Sequence, residues 1–593
     1  MTRPPAHASI AASPIDVTAA APSRSTLTVA LVGSLLTYLA HPPMGWSLLA
    51  WIGPTPWLLL VRTPRLAGRR PYRALWLAGA AFWLVTVQWI RLPYWANIFF
   101  LFALAAYLGL YLPLFVGLSR VAVHRLCVPL WIAGPVVWTG LEWARARLLS
   151  GFLMASLAHT QVGFPRVIQI ADLVGEYGVT FLIVLVAAAI ASAVPLSWVD
   201  REQTSVSDRP HPRRLAALHL LPAAIALAAA LTYGDQRLLD LALQAKAGTQ
   251  RAAPRIALIQ SNMLANWKYN AGRDDTVMRE QLDLSREAVR QSKQPIDVVI
   301  WPETMYRDPL WTIDPDRGPP LRVIDQKVLN ATPQDMADKT KELGAALLVG
   351  VDRLNLLQVD EANGEQGEID VAGETLPYRV EPFNSSAAVD RTGKLVGTYD
   401  KMHVLPFGEY MPFAEWLPFL QRFSPVTGVS LWGAGPAAFE LDGVVYSPNI
   451  CYETVLPHVI RRQVVELARR GQTPDVLVNL TNDAWYWGSS ELDMHLASGV
   501  FRAVEMRTPL VVAANRGLSA HIDHRGHIVA VTQRNKPATL VTDVRLPPRR
   551  GAYPSLYARY GDWFSLGCLV CCGVIAIIGW RGTRSAPRTP RRG

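Results

Sequence analysis

Three ionisable residues each close a run of apolar or β-branched residues of strand length. Glu303 follows Val298-Val299-Ile300-Trp301-Pro302, Lys401 follows Val396-Gly397-Thr398-Tyr399-Asp400, and Cys451 follows Val444 to Ile450 and precedes Tyr452-Glu453. Strand ends hold side chains rigidly at the rim of a sheet, where ligands bind. Taken singly, each residue has an ordinary reading. A lone cysteine is more often a small buried hydrophobe than a nucleophile, and a lone glutamate or lysine is usually a solvated charge. Taken together, they make a consistent site. The thiolate is the reactive form of cysteine, and an unperturbed thiol is mostly protonated at neutral pH. A carboxylate in reach can take its proton. A nearby ammonium favours the thiolate and neutralises an oxyanion during acyl transfer, and the backbone N–H after Cys451 offers a second oxyanion donor. Such a set suits the formation and resolution of a thioester.

The elements that must position these residues fall into two kinds. Half of the 593 residues are hydrophobic, 18% are charged and Trp occurs 20 times. Soluble proteins carry about a quarter charged residues, and Trp favours membrane–water interfaces. Apolar stretches lie at roughly 26–41, 46–61, 74–90, 96–119, 126–143, 167–199 and 215–233, and again at 564–580. Several fall short of the ~20 residues a spanning helix needs, so Pro-broken ones are open to a re-entrant reading. Residues 1–25, rich in Ala, Pro, Ser and Thr, read as a disordered leader, and the next apolar run as a retained span.

The net charge of +11 does not point to nucleic acid, because arginine gathers in alternate short loops. Arg62, Arg65, Arg69, Arg70 and Arg73 follow the second stretch, and Arg120 and Arg125 the fourth. Arg201, Arg209, Arg213 and Arg214 follow the sixth, and Arg581, Arg584, Arg588, Arg591 and Arg592 fill the tail. The intervening loops carry fewer, among them Arg91 after the third stretch and Arg145 and Arg147 after the fifth. The positive-inside rule then expects both termini in the cytoplasm and residues 234–563 on the outer side, the periplasm in a bacterium. The expected organisation is an N-terminal membrane bundle (26–233), an outer domain (234–563), a last span (564–580) and a basic tail (581–593), about eight spans in all.

Within the outer region, Arg255–Gln260, Val298–Trp301, Ala345–Val351, Ala387–Asp390, Val444–Ile450, Val476–Leu480 and Leu510–Ala514 read as strands. Segments 275–292, 333–343, 455–470 and 493–507 have helical character, and 357–380 reads as an inserted surface loop. This alternation predicts an α/β sandwich with helices covering sheets. Cys451 is the region's sole cysteine, so no disulfide forms within it, and no Cys/His spacing suggests zinc.

Several strings now carry a resemblance. Trp301-Pro302-Glu303-Thr304, Tyr399-Asp400-Lys401-Met402-His403-Val404-Leu405-Pro406-Phe407-Gly408-Glu409-Tyr410 and Asn449-Ile450-Cys451-Tyr452-Glu453 resemble the three signatures of the nitrilase superfamily. The Lys401 string, Asn479-Leu480-Thr481-Asn482-Asp483-Ala484-Trp485, Leu141-Glu142-Trp143, Gln169-Ile170-Ala171-Asp172 through Gly175-Glu176-Tyr177-Gly178, and Arg559-Tyr560-Gly561-Asp562-Trp563 look like its apolipoprotein N-acyltransferase branch. The resemblance covers nearly the whole chain after the leader. It implies an α-β-β-α sandwich beside a membrane α-helical bundle. It also implies transfer of the sn-1 acyl chain of a phospholipid, typically phosphatidylethanolamine, to the α-amine of a diacylglyceryl-cysteine apolipoprotein. By analogy Glu303 is the base, Lys401 the oxyanion stabiliser and Cys451 the nucleophile. Glu409 matches a carboxylate that orients Lys401, Tyr452 and Glu453 flank the nucleophile, and Trp267 matches a tryptophan near the substrate entrance. Trp267 capping a core and Glu453 pairing with an Arg or backbone remain the ordinary alternatives. Neither metal nor organic cofactor is called for, and a monomer is expected.

A diacyl lipid does not readily leave the bilayer, since each CH₂ drawn into water costs about 0.8 kcal/mol. The site must therefore meet the outer leaflet. Residues 405–423 crowd Phe407, Tyr410, Phe413, Trp416 and Phe419 among three prolines. They read as an apolar loop that dips into the headgroups, with Trp416 and Phe413 as lipid contacts; the alternative is a loop packed on the sheet edge. The chain departs from the branch pattern at Tyr486-Trp487-Gly488, at Glu491-Leu492-Asp493 and at Val512-Ala513-Ala514-Asn515-Arg516-Gly517, which bears on substrate preference. Two other functions fit parts of the sequence. A membrane-tethered amidase or thioesterase would give the acyl group to water with the same residues. A transporter would use the spans, but these show no clear inverted repeat and few mid-membrane charges.

Overall fold

Alternation of buried residues along the strands sets the architecture. In the computed structural model, which describes residues 24–199, 213–246, 252–265, 274–313, 326–358, 369–371, 374–376, 378–411, 414, 416, 417, 419, 430–548 and 554–584, two sheets lie face to face. The first has the order Ala538–Asp543, Arg255–Gln260, Val298–Ile300, Ala346–Gln358, Tyr378–Val389 and Leu395–Asp400, with Tyr306–Ile313 also paired to Ala346–Gln358. The second runs Ile528–Val531, Ala520–Ile522, Leu510–Asn515, Val476–Asn482, Val444–Ile450 and Phe439–Leu441. The central strands of both are parallel, and the edges antiparallel. Central strands buried on both faces read as continuous apolar runs. That is why Arg255–Gln260 and Val444–Ile450 have the bounds the sequence predicts.

Ile256, Leu258, Ile300 and Leu348 of the first sheet meet Tyr446, Val478, Leu480 and Val511 of the second in one buried cluster. The alternate residues Ala257, Ile259, Val299 and Leu347 face outward onto Val277, Ala288 and Met336 of helices Asp274–Gln291 and Gln326–Leu343. On the far side, helices Pro457–Arg469 and Glu491–Met506 cover the second sheet through Ile460, Val464, Val500 and Val504. The result is the expected α-β-β-α sandwich. Its second helical layer shares an apolar cluster with Ile168, Ala171 and Tyr557 of the remaining helices, so the sandwich is packed directly on the helical bundle.

The bundle bears out the expected spans in part. Among the described residues four helices are long and apolar enough to cross a membrane: Asn97–Arg125, Glu176–Ala193, Leu218–Leu243 and Trp563–Arg581. The other apolar stretches form shorter helices, Thr26–Ala40, Thr55–Arg62, Pro71–Thr86 and Leu130–Arg145. The stretch at 46–61 is a 3₁₀ turn, Ser47–Trp51, followed after Gly53-Pro54 by a short helix. The stretch at 167–199 breaks at Gly175, whose φ of 73° ends one short helix before Glu176–Ala193 begins. The loop expected at 357–380 is shorter than it looked. Strands Ala346–Gln358 and Tyr378–Val389 run into both its ends, and Ile369–Val371 pairs with Glu374–Leu376 between them. Polar strand ends hid their pairing from a reading based on apolar runs. The leader lies almost wholly outside the described residues.

Candidate active site

Glu303, Lys401 and Cys451 come from three different strand ends, and the fold brings them together. Glu303 sits just after Val298–Ile300, and Lys401 directly after Leu395–Asp400. Both lie on the first sheet. Cys451 opens a 3₁₀ turn, Cys451–Val455, at the end of Val444–Ile450 on the second. The site therefore spans the seam between the sheets. Backbone strain gathers there: Cys451 has φ 51° and Thr304, next to Glu303, has φ 53°. Non-glycine residues in this left-handed region cost of order 1–3 kcal/mol and persist only where the surroundings enforce them.

Lys401 is 1% exposed. Its Nζ donates to Glu409 Oε1 at 2.9 Å and stands 3.7 Å from Glu303 Oε1. Burial pulls its pKa down, but the Glu409 and Glu303 carboxylates, with Cys451, outweigh burial and hold it above the ordinary lysine value. Glu303 accepts from Asn384 Nδ2 at 2.7 Å and from the backbone N–H of Asn482 at 3.0 Å. Its carboxylate is thus tied to both sheets. Glu409 accepts from Lys401, from Asn384 Nδ2 at 3.0 Å and from the Leu405 N–H at 2.8 Å. Burial alone would raise Glu409, yet Lys401 and these donors leave it below the usual carboxylate range. The Cys451 thiol is pushed well above its ordinary pKa, first by burial and then by the Glu303 carboxylate, with Lys401 opposing. A thiol that rests protonated needs a carboxylate to take its proton as the sulfur attacks.

Glu453 does more than flank Cys451. It is fully buried. Its Oε1 accepts the N–H groups of Met402 and His403, at 2.7 and 2.9 Å, and its Oε2 accepts that of Ile450, at 2.7 Å. Tyr399 Oη donates to both oxygens. One carboxylate therefore joins the chain after Lys401 to the chain before Cys451. Burial raises its pKa despite those donors. Tyr452 points away from the sheets, and its Oη donates to the Gly151 carbonyl of the bundle at 3.0 Å.

Of the residues expected to bind lipid, Trp416 is described. Trp267 and Phe413 lie outside the described residues. Trp416 is 81% exposed and Phe419 55%. Phe407, on the same loop, stacks on Phe100 of the bundle at 4.2 Å between ring centroids. Tyr486, where the sequence departs from the branch pattern, packs edge-on against Trp89 of the bundle at 5.2 Å. Sequence reading missed Asn384, which bridges two site carboxylates, and His495, which bonds the Cys451 carbonyl at 3.1 Å. Neither stands at the end of an apolar strand next to a second ionisable residue, so strand-end spacing could not find them. Among the described residues no cluster of His, Cys, Asp and Glu could hold a metal ion.

Two family models match this chain. Residues 33–189 match the apolipoprotein N-acyltransferase N-terminal domain, and residues 255–551 match carbon-nitrogen hydrolase. The apolipoprotein N-acyltransferase of Geobacter metallireducens is 32% identical over 571 residues, covering 95% of this chain and 96% of that relative. The chain belongs to the apolipoprotein N-acyltransferase family. The enzyme of the same description from Rhodopirellula baltica is 30% identical over 571 residues, covering 91% and 95%. The crystal structure of Saccharomyces cerevisiae Nit3, a nitrilase-superfamily member, aligns to 58% of this chain and 98% of its own at 13% identity. Its TM-score of 0.34 is too low to carry an argument. As a member of the apolipoprotein N-acyltransferase family, the chain is a membrane acyltransferase of lipoprotein biosynthesis, with phospholipid and lipoprotein substrates.

Proposed function

We propose that Cys451 carries the acyl group as a thioester between a phospholipid and the N-terminal amine of a diacylglyceryl-cysteine apolipoprotein. The observation that supports this most is the placing of Glu303 and Lys401, 3.7 Å apart, where both act electrostatically on the Cys451 thiol. In the first half-reaction the Sγ–H proton moves to Glu303 while Sγ attacks the ester carbonyl, and Lys401 meets the developing oxyanion. The C–O bond breaks, and the lysophospholipid oxygen leaves with the proton from Glu303. In the second, the neutral amine attacks the thioester carbonyl, the C–S bond breaks, and the amine proton passes by way of Glu303 to Sγ. Glu409 holds the Lys401 ammonium in place, while Glu453 and Tyr452 position the nucleophile turn.

The donor we assign is phosphatidylethanolamine, and the working unit is a monomer. Eight crossings with both termini in the cytoplasm of a bacterial inner membrane would place 234–563 in the periplasm, beside the outer leaflet. Arginine asymmetry between alternate loops supports this orientation. Trp416 and Phe419, both exposed, and Phe407, stacked on the bundle, support a lipid-facing loop. Trp267 and Phe413 join it as proposed substrate contacts.

Product analysis tests the reading. Purified enzyme is given phosphatidylethanolamine labelled in its sn-1 chain and a diacylglyceryl-cysteine peptide. Label in an amide on the peptide, absent with Cys451→Ala, is expected. Label released as free fatty acid whether or not peptide is present would favour hydrolysis by water.

A further inference from the structure

A second ionic group lies against the Cys451 backbone. His495, on helix Glu491–Met506, is 5% exposed, and Asp483, in the turn after Val476–Asn482, is 4% exposed. His495 Nε2 lies 3.1 Å from the carbonyl oxygen of Cys451, which can only accept, so the ring donates. His495 Nδ1 faces Asp483 Oδ1 at 3.7 Å. Asp483 is itself held in place: Thr481 Oγ1 donates to its Oδ1 at 2.7 Å. A Cβ on Gly517 would come 2.0 Å from its Oδ2, so only glycine leaves room for this carboxylate. Asn479 Nδ2 donates to the same Cys451 carbonyl at 3.1 Å. Two donors thus grip the peptide of a residue in the left-handed region, where the backbone would otherwise relax.

We propose that His495, backed by Asp483, is a positioning residue for acyl transfer: its ring N–H fixes the Cys451 peptide, and its positive charge cancels the Asp483 charge that opposes the thiolate. The inference rests on Cys451 being the nucleophile. The charged and titratable groups facing His495 are Asp483 from the strand-end turn, Glu491 one helical turn back on its own helix, and Cys451 itself. Burial lowers the His495 pKa, but Asp483 and then Glu491 overcome it and push it up to about 9; Glu491 is itself pushed up to about 8 by burial and Asp483, so Asp483 is the group that chiefly favours the protonated ring. Asp483 acts on the Cys451 thiol in the unfavourable direction, as the proposal requires.

The test uses the full chain in phospholipid–detergent micelles across pH 6–10. Two rates are followed at the Cys451 peptide by mass spectrometry: acyl-adduct formation from phosphatidylethanolamine, and alkylation by iodoacetamide. His495→Leu is expected to slow adduct formation about 100-fold and to move the alkylation profile about one pH unit higher. His495→Gln, which keeps a donor without the charge, is expected to regain about tenfold in rate but to keep the shifted profile. Asp483→Asn/His495→Leu is expected to return the profile toward wild type without restoring the rate. If His495→Leu fails to fold, His495→Gln carries the test through its profile. Wild-type rate and profile in the single variants would overturn the proposal. So would a rate loss shared in full by His495→Gln with an unmoved profile, the mark of a purely structural role. Acyl transfer persisting in Cys451→Ala would instead sink the nucleophile assignment, and is read separately.

Discussion

At the scale of single residues, Asn384 holds the two site carboxylates in register, because its one amide nitrogen donates to both Glu303 and Glu409. Hydrogen bonds to charged groups contribute about 1.5–3 kcal/mol each. Asn384→Ala should therefore slow thioester formation by roughly 10- to 100-fold. Asn384→Asp, adding a third carboxylate beside Lys401, should slow it further; single-turnover acylation measures both. His495 supplies a pH signature of its own. Its folded pKa of about 9 lies above the ordinary histidine value, so the stability it adds is fully present below about 6.5 and is lost as pH rises through about 9. The melting-temperature gap between wild type and His495→Gln should be widest near pH 6 and close as the pH passes 9. Glu303, Lys401 and Cys451 were legible in the sequence because each follows a run of strand length and stands in a string that resembles a family signature. Asn384 was not, because its partner Glu303 lies 81 residues away and only strand pairing brings them together.

At the scale of elements, the site depends on how closely the strands approach. A Cβ on Gly350, in Ala346–Gln358, would lie 2.5 Å from the Glu303 Cα and 2.5 Å from the Pro302 carbonyl oxygen. Those are backbone atoms, which cannot turn aside as a side chain can. Gly350→Ala should displace Glu303, cost about 1–3 kcal/mol in stability, and slow acylation by more than the stability loss explains. Comparing chemical denaturation with acylation rate separates the two effects. The strands and helices of the sandwich were readable because buried parallel strands are apolar and their helices amphipathic. Edge strands such as Ile528–Val531 and Ala538–Asp543 were not, because the first is only four residues long and Thr539, Thr542 and Asp543 interrupt the apolar run of the second. The bundle misled for the opposite reason: apolar composition continues through Gly53-Pro54 and through Gly175, where the helices break.

At the scale of the whole molecule, buried ion pairs join sandwich and bundle. Arg507 donates to Asp172 at 2.7 Å and to Gln169 Oε1 at 2.7 Å, and Asp172 also accepts from Arg237 and Tyr233. Glu505 accepts the Glu176 N–H at 2.8 Å, at the start of a spanning helix. Arg507→Met would leave Asp172 with Arg237 and Tyr233 but without its second cation, at a cost of about 1.5–3 kcal/mol, read as a lower melting temperature in detergent. The loop proposed to face lipid has a different signature. Trp416→Ser/Phe419→Ser should slow turnover on bilayer phospholipid while sparing a short-chain donor in solution, with the melting temperature unchanged. Equal turnover on both donors would place the loop on the sheet edge instead.

The most direct measurement is the intact mass of the protein after incubation with phosphatidylethanolamine alone, followed by peptide mapping. A gain of one acyl chain on Cys451, which vanishes when a diacylglyceryl-cysteine peptide is added, is the expected result. An unmodified Cys451 after incubation with phosphatidylethanolamine alone, in enzyme that transfers the chain once the peptide is added, or an adduct that the peptide fails to discharge, would contradict the account.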